Sequence, residues 1–146
     1  MELTPSQMGQ IKEIARQFRL KMILLFGSSV EGPLHPNSDL DLALLREGEK
    51  GSKGKGNQNL SLGEYADLLY VLQQVFPHQE IDLSFINRAD PLFLKKILEN
   101  CQLIFGSPKK LQELKIYAFK RYQDHRPYFI MEEQFVQRYL KRAQSK

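Results

Sequence analysis

The residues best equipped for chemistry are Gly27, Ser28, Asp39 and Asp41, within "LLFGSSVEGPLHPNSDLDLALL" at 24–45, and Asp82, within "EIDLSFI" at 80–86. The first segment begins fully apolar, breaks at Gly27-Ser28, crosses a polar stretch and re-enters an apolar run that carries two carboxylates. An ionised carboxylate buried without a partner is costly, so Asp39 and Asp41 belong at a strand end facing water, a cation or another protein group. Side chains alternate along a strand, which sets Asp39 and Asp41 on one side, about 7 Å apart along the backbone, and Leu40 and Leu42 on the other. By the same alternation Glu80, Asp82 and Ser84 share a face, opposite Ile81, Leu83 and Phe85. If that strand pairs beside the second, Asp82 completes a cluster of three carboxylates. Such a cluster repels itself and raises its own pKa values unless divalent cations hold it ionised. All-oxygen ligation favours Mg²⁺ or Mn²⁺ over zinc. At the strand break, glycine lets backbone N–H groups approach an anion closely and the Ser28 hydroxyl adds a donor, so phosphate is the natural guest. Two hard cations beside a phosphate cradle are what in-line phosphoryl or nucleotidyl transfer requires. Read singly, each pair has a plainer meaning: Asp39 and Asp41 as a solvent-facing strand start, Gly27-Ser28 as an ordinary turn.

These residues need a scaffold, and the chain is long enough to supply one. At 146 residues and 42% hydrophobic it fits one domain with a real core. A lone cysteine, Cys101, excludes a disulfide framework and Cys/His zinc spacing, and points to a reduced, cytoplasmic setting. No stretch reaches about 18 uninterrupted apolar residues, and "MELTPSQMGQ" lacks the regions of a signal peptide, so a soluble protein is expected. The net charge of +4 is unevenly placed: residues 107–146 carry ten Lys/Arg against four Asp/Glu, residues 1–106 eleven against thirteen. A basic tail of this kind reads as a solvated helix face, or as a dock for an acidic partner or phosphates.

"TPSQ" at 4–7 starts a helix with a capping box and Pro at its first position, and Met8, Ile11, Ile14 and Phe18 form its apolar stripe to about Arg19. "KMILLF" at 21–26, apolar on both faces, reads as a central strand covered on each side by helices, and "DLDLALL" at 39–45 as a second strand. Residues 47–59, "EGEKGSKGKGNQN", hold almost nothing apolar and read as a mobile loop. "SLGE" at 61–64 is another capping box, followed by Tyr65, Leu68, Leu69, Leu72, Val75 and Phe76 at helical spacing until Pro77. A third strand at 80–86, a helix from Asp90-Pro91 to about Asn100, a fourth strand at 101–105 and a helical region from Ser107-Pro108 complete the chain. Arg126-Pro127 is expected to kink or divide that last region.

Gly27, Ser28, Asp39 and Asp41 together read G-S-x(10)-D-x-D on two strands, with Asp82 on a third. This resembles the DNA polymerase β-like nucleotidyltransferase superfamily. "FPHQEIDLSFINRADPLFLKKILENCQLIFG" at 76–106 and "YAFKRYQDHRPYFIMEEQFVQRYL" at 117–140 are similar to the minimal nucleotidyltransferase antitoxins, the MntA-like family paired with HEPN-domain toxins. The resemblance implies an α/β (α+β) fold. Its nucleotidyltransferase core at 1–106 would have about four mixed strands flanked by helices, and 107–146 would be a C-terminal helical extension of the same domain. It also implies a protein adenylyltransferase that uses MgATP to attach AMP to a tyrosine of a HEPN-type ribonuclease toxin and so silences it. Gly27 and Ser28 would then bind nucleotide phosphates, and Asp39, Asp41 and Asp82 would hold two Mg²⁺ ions, with Asp82 also helping to deprotonate the acceptor. Ser29 stands where many relatives carry arginine.

Other readings remain: an aminoglycoside or lincosamide type of nucleotidyltransferase acting on a small molecule, an antitoxin that neutralises by occlusion alone, and, supported only by the basic tail, direct action on nucleic acid. The first usually needs more chain to build an acceptor pocket than the forty or so residues after the fourth strand. His35, His78 and His125 have no ligand spacing and read as surface or loop residues. Arg88 reads equally as a contact to nucleotide or partner and as support for the following helix. Tyr117, Tyr122, Tyr128, Phe129, Phe135 and Tyr139 read as a helix packing face rather than a recognition surface.

Overall fold

The computed structural model describes residues 2–30, 39–47 and 60–144. The element order is α1 (Pro5–Gln17), β1 (Leu20–Phe26), β2 (Asp39–Arg46), α2 (Leu62–Val75), β3 (Glu80–Phe85), α3 (Pro91–Glu99), β4 (Cys101–Phe105) and α4 (Pro108–Gln144). The glycine-rich segment expected to be a mobile loop lies, apart from Glu47, outside the described residues, as does His35.

The starts of α1, α2 and α3 each show a side-chain cap. Thr4 Oγ1 accepts from the Gln7 N–H at 3.2 Å while Gln7 Oε1 accepts from the Thr4 N–H at 3.0 Å, closing the predicted box. Ser61 Oγ accepts from the Glu64 N–H at 3.2 Å, and Asp90 Oδ1 from the Phe93 N–H at 2.8 Å, with Pro91 at the first helical position. α1 stops two residues before the predicted end, because Arg19 takes φ +56° and turns the chain into β1. Met8, expected in the buried stripe, is 47% exposed; Ile11, Ile14 and Phe18 carry the packing.

The sheet has four strands in the order β3-β2-β1-β4. β1 runs antiparallel to both β2 and β4, while β2 and β3 are parallel. A parallel pair needs a crossover, and α2 provides it. β1 is central and buried on both faces, as its sequence predicts. Ile23 and Leu25 pack into a cluster with Ile11, Ile14, Leu68 and Leu72, under α1 and α2. Met22 and Leu24 pack on the other face with Leu94, Ile97, Leu111 and Ala118, under α3 and α4. The core is therefore two apolar layers with the sheet between them.

The expected break at Arg126-Pro127 is not a division: α4 runs as one helix of 37 residues with Pro127 inside it. Proline forfeits one backbone hydrogen bond at a cost of about 3 kcal/mol in a helix interior. Ring contacts that straddle it offset part of this cost. Tyr122 stacks on Phe129 with centroids 6.0 Å apart, and His125 meets Tyr128 at 6.1 Å and Phe129 at 6.3 Å. The aromatic residues of α4 depart further from expectation. Tyr117, Tyr128, Phe135 and Tyr139 are 55–71% exposed, so most of the predicted packing face packs against nothing described. Helical spacing marks a face without saying what covers it.

Candidate active site

Everything at this end of the sheet is placed by strand register. β1 ends at Phe26, whose Cα partner on β2 is Asp41. The chain then turns through a 3-10 segment, Gly27–Ser29, in which Gly27 has φ +78°, a region that favours glycine. The turn therefore lies against Asp41. A Cβ built on Gly27 would stand 2.4 Å from Asp41 Oδ2 and 3.2 Å from its Cγ. Glycine is required here by both backbone conformation and space, and the space belongs to the carboxylate. Ser28 follows, exposed, at the mouth of the turn.

On β2, Leu40 and Leu42 are buried in the layer under α1 and α2, so Asp39 and Asp41 project to the opposite face, the one that carries α3 and α4. Ala43, next in that alternation, is buried beneath those helices, so the two aspartates occupy the end of the face that the helices leave open. The parallel register of β2 and β3 then sets Asp82 directly beside Asp41 and Glu80 beside Asp39. The pairing on which the expectation for Asp82 depended is present. Glu80, to which the sequence reading gave a face but no role, becomes a fourth carboxylate at the rim; the signal for it was the E-x-D alternation in "EIDL" together with a parallel pairing. Asp39, Glu80 and Asp82 are exposed and Asp41 is half-buried.

The charges act on one another. Burial pushes the Asp41 carboxyl above the usual carboxylate range, and the neighbouring charges of Asp82 and then Asp39 push it further. A raised folded-state pKa means that the folded protein holds the Asp41 proton more tightly than the unfolded chain. Stability from this group is therefore full below the ordinary value of about 3.9 and is lost as pH rises through the raised one. In metal-free buffer Asp41→Asn should unfold at a higher temperature than the wild type at pH 7.5, by a few degrees, with the gap closing as the pH is lowered into the carboxylate range. A gap that is constant across that range would contradict the repulsion.

Among the described residues no three His, Cys, Asp or Glu side chains converge closely enough, as they stand, to hold a metal ion. The donor set nevertheless suits a hard divalent cation: all oxygen, on one face, and mutually repelling in its absence. Next to it, the rings of Phe26 and Phe93 meet edge to face at 6.1 Å and close the apolar side of the site. Arg88 contributes its backbone to the turn Ile86–Arg88, and the cap of the helix that follows is Asp90. His78 and His125 are exposed.

Two cavities, of about 570 and 220 Å³, lie elsewhere: the larger between Lys12, Lys21 and Lys110 at the opposite end of β1, the smaller between α3 and α4. Neither is bordered by Asp39, Asp41 or Asp82.

The family model described as "Polymerase beta, Nucleotidyltransferase" matches residues 9–110, which span all four strands and every residue of the acidic constellation. No curated protein matches the chain. Among solved structures it is similar to a chain in the crystal structure of a toxin-antitoxin with AMP-PNP, at 19% identity and a TM-score of 0.66 over 88% of this chain and 98% of that one. It is also similar to a chain in an MntA-HpeT toxin-antitoxin mutant with two Asp→Glu substitutions, at 17% and 0.64 over 88% and 98%. A third likeness is to a chain in the complex of tri-AMPylated Shewanella oneidensis HEPN toxin with MNT antitoxin, at 16% and 0.61 over 90% and 97%. At such identities the likeness is one of fold: the four-stranded mixed sheet, its flanking helices and the long helix that follows.

Proposed function

The chain belongs to the polymerase beta nucleotidyltransferase family, and from that premise we propose that it is the antitoxin of a toxin-antitoxin pair, transferring AMP from MgATP to a tyrosine of a HEPN-type ribonuclease toxin. The observation that carries this reading is the closeness of Gly27 to Asp41, with Asp82 in register beside it. That arrangement sets a backbone turn able to offer N–H groups to a phosphate against carboxylates able to hold its counter-cations. The structural likenesses to chains crystallised with AMP-PNP and with an AMPylated HEPN toxin support the choice of nucleotide and of partner.

In this reading Asp39, Asp41 and Asp82 would hold the Mg²⁺ ions, which supply charge neutralisation for the triphosphate and the departing pyrophosphate. Gly27 leaves its backbone N–H side open to the phosphates and Ser28 offers a hydroxyl donor. The acceptor tyrosine Oη forms a bond to the α-phosphorus as the bond from that phosphorus to the bridging oxygen breaks. Pyrophosphate carries away that electron pair, and the phenolic proton passes to Asp82. A phenol with a pKa near 10 needs only modest help to ionise, which one adjacent carboxylate can give. The likeness to chains crystallised in toxin-antitoxin complexes favours a protein acceptor over a small molecule. We assign residues 1–106 to the catalytic core and 107–146 to a helical extension of the same domain.

The reading is tested by mixing the protein with MgATP and the product of the neighbouring gene, then weighing that product and assaying its ribonuclease activity. Additions of AMP mass with loss of nuclease activity are expected. Inhibition without a mass change, persisting when Asp39 and Asp41 are both asparagine, would replace transfer with occlusion.

A further inference from the structure

The cavity of about 570 Å³ at the far end of β1 has a charge pattern of its own. β4 runs antiparallel to β1 with Phe105 level with Ile23, so β4 ends where β1 begins. α1 packs over one face of the sheet and α4 over the other. Lys12 of α1, Lys21 of β1 and Lys110 of α4 all line the cavity, together with the apolar Leu20, Leu103 and Phe105. Gly106 brings two of these lysines together. At φ +125° it takes a conformation that favours glycine, and a Cβ there would stand 3.0 Å from the Lys21 carbonyl oxygen and 3.3 Å from Met22 Cγ. The chain leaving β4 therefore presses against Lys21 before α4 carries Lys110 to the same opening. Met8 also finds its place here. Its spacing matches the buried stripe of α1, but it borders this cavity, one turn before Lys12.

The ammonium groups of Lys12, Lys21 and Lys110 make no ion pair or hydrogen bond with any described residue. One carboxylate, Glu47, also lines the cavity, and it too forms no ion pair among the described residues. Three cations against one anion give the opening a positive potential, which draws anions in. Lysine, a compact charge on a flexible stem, suits phosphate oxygens. The charges gather around one opening instead of running along a track, which favours a small ligand over a nucleic acid. The volume lies within the roughly 300–1,000 Å³ of small-molecule sites. A bare phosphate would satisfy the lysines and leave the apolar lining unused. An uncharged ring would do the reverse. We propose that this cavity binds a small organic phosphate of nucleotide size, its ring or apolar body against Met8, Leu20 and Phe105 and its phosphates among Lys12, Lys21 and Lys110. The site is independent of Asp39 and Asp41, which lie toward the other end of β1.

The probe is ADP in EDTA, with adenosine and pyrophosphate as its two halves, read by calorimetry and by mass spectrometry of lysine acetylation. ADP should bind at least about tenfold more tightly than pyrophosphate, and adenosine should give no binding heat. Bound ADP should shield Lys12, Lys21 and Lys110 from acetylation, in the wild type and equally in D39N/D41N, while Lys141 stays reactive. K12Q/K21Q/K110Q should bind ADP at least about 30-fold more weakly. M8S should lose affinity for ADP and keep its affinity for pyrophosphate. All four positions are exposed, so both variants should keep the circular dichroism of the wild type. Lys12, Lys21 and Lys110 that stay fully reactive at millimolar ADP would overturn the proposal. So would shielding that D39N/D41N abolishes, which would trace the binding to the acidic site. Shielding by RNA oligomers that grows with their length and exceeds that by ADP would overturn it as well, assigning the lysines to a nucleic acid.

Discussion

Replacing Asp39 and Asp41 together by asparagine is expected to cut AMP transfer by at least about a thousandfold while leaving the fold intact, because in the proposed reaction both carboxylates would hold cations and neither belongs to the core. The structural basis is their placement. The two side chains leave β2 on the face away from Leu40 and Leu42, at the end that α3 and α4 do not cover. Nothing apolar is lost by the exchange, and the volumes are nearly equal. Metal-free thermal unfolding should therefore shift little or upward, since burial, and then the charges of Asp82 and Asp39, push the Asp41 carboxyl toward its neutral form. Added Mg²⁺ should stabilise the wild type and leave the double variant unmoved. Thermal scans with and without Mg²⁺, beside a transfer assay, check both halves. Transfer near the wild-type rate in a folded double variant would remove the cation role of these residues.

Gly27→Ala should have the second largest effect, and its two components separate. The positive φ alone costs a non-glycine residue about 1–2 kcal/mol. The added Cβ then falls 2.4 Å from Asp41 Oδ2, a distance that real contacts do not sustain. The atom that gives way is the free end of a carboxylate rather than backbone, so the protein folds and Asp41 swings out of place. Activity should fall by at least about 100-fold, more than the loss of stability alone would explain, because a ligand displaced by an ångström forfeits its geometry. Urea unfolding and steady-state kinetics on the same preparation distinguish the two. A variant destabilised as expected but fully active would show that the approach of Gly27 to Asp41 has no part in the chemistry.

Much of this site was legible in the residues. The apolar run ending at Gly27, the D-x-D alternation and the E-x-D alternation each carry their face in their period, and the caps at Thr4 and Ser61 open α1 and α2, although only Thr4 closes a full capping box. Pairing was not legible. That β3 lies parallel beside β2, with Asp82 level with Asp41, depends on a crossover through α2 that no local pattern encodes. The positive φ of Gly27 and the space it leaves to Asp41 were not legible either, since they depend on which residue of β2 pairs with Phe26. The sequence misled most in α4. Periodic aromatic residues look the same whether they meet the chain's own core or a partner. Pro127 looks like a break until the Tyr122 and Phe129 rings are seen to stack across it. Met8 shows the same limit on a smaller scale, sharing the spacing of Ile11 and Ile14 without their burial.

The account turns on which phosphorus the enzyme delivers. Incubating the wild type and its partner with Mg²⁺ and ATP labelled at either the α- or the γ-phosphorus tests this directly. Label from the α position should become fixed to a tyrosine of the partner and label from the γ position should leave as pyrophosphate, with neither retained by the double asparagine variant. Label from the γ position on the partner, or none from the α position while the partner's nuclease activity is still suppressed, would contradict nucleotidyl transfer as the function of this fold.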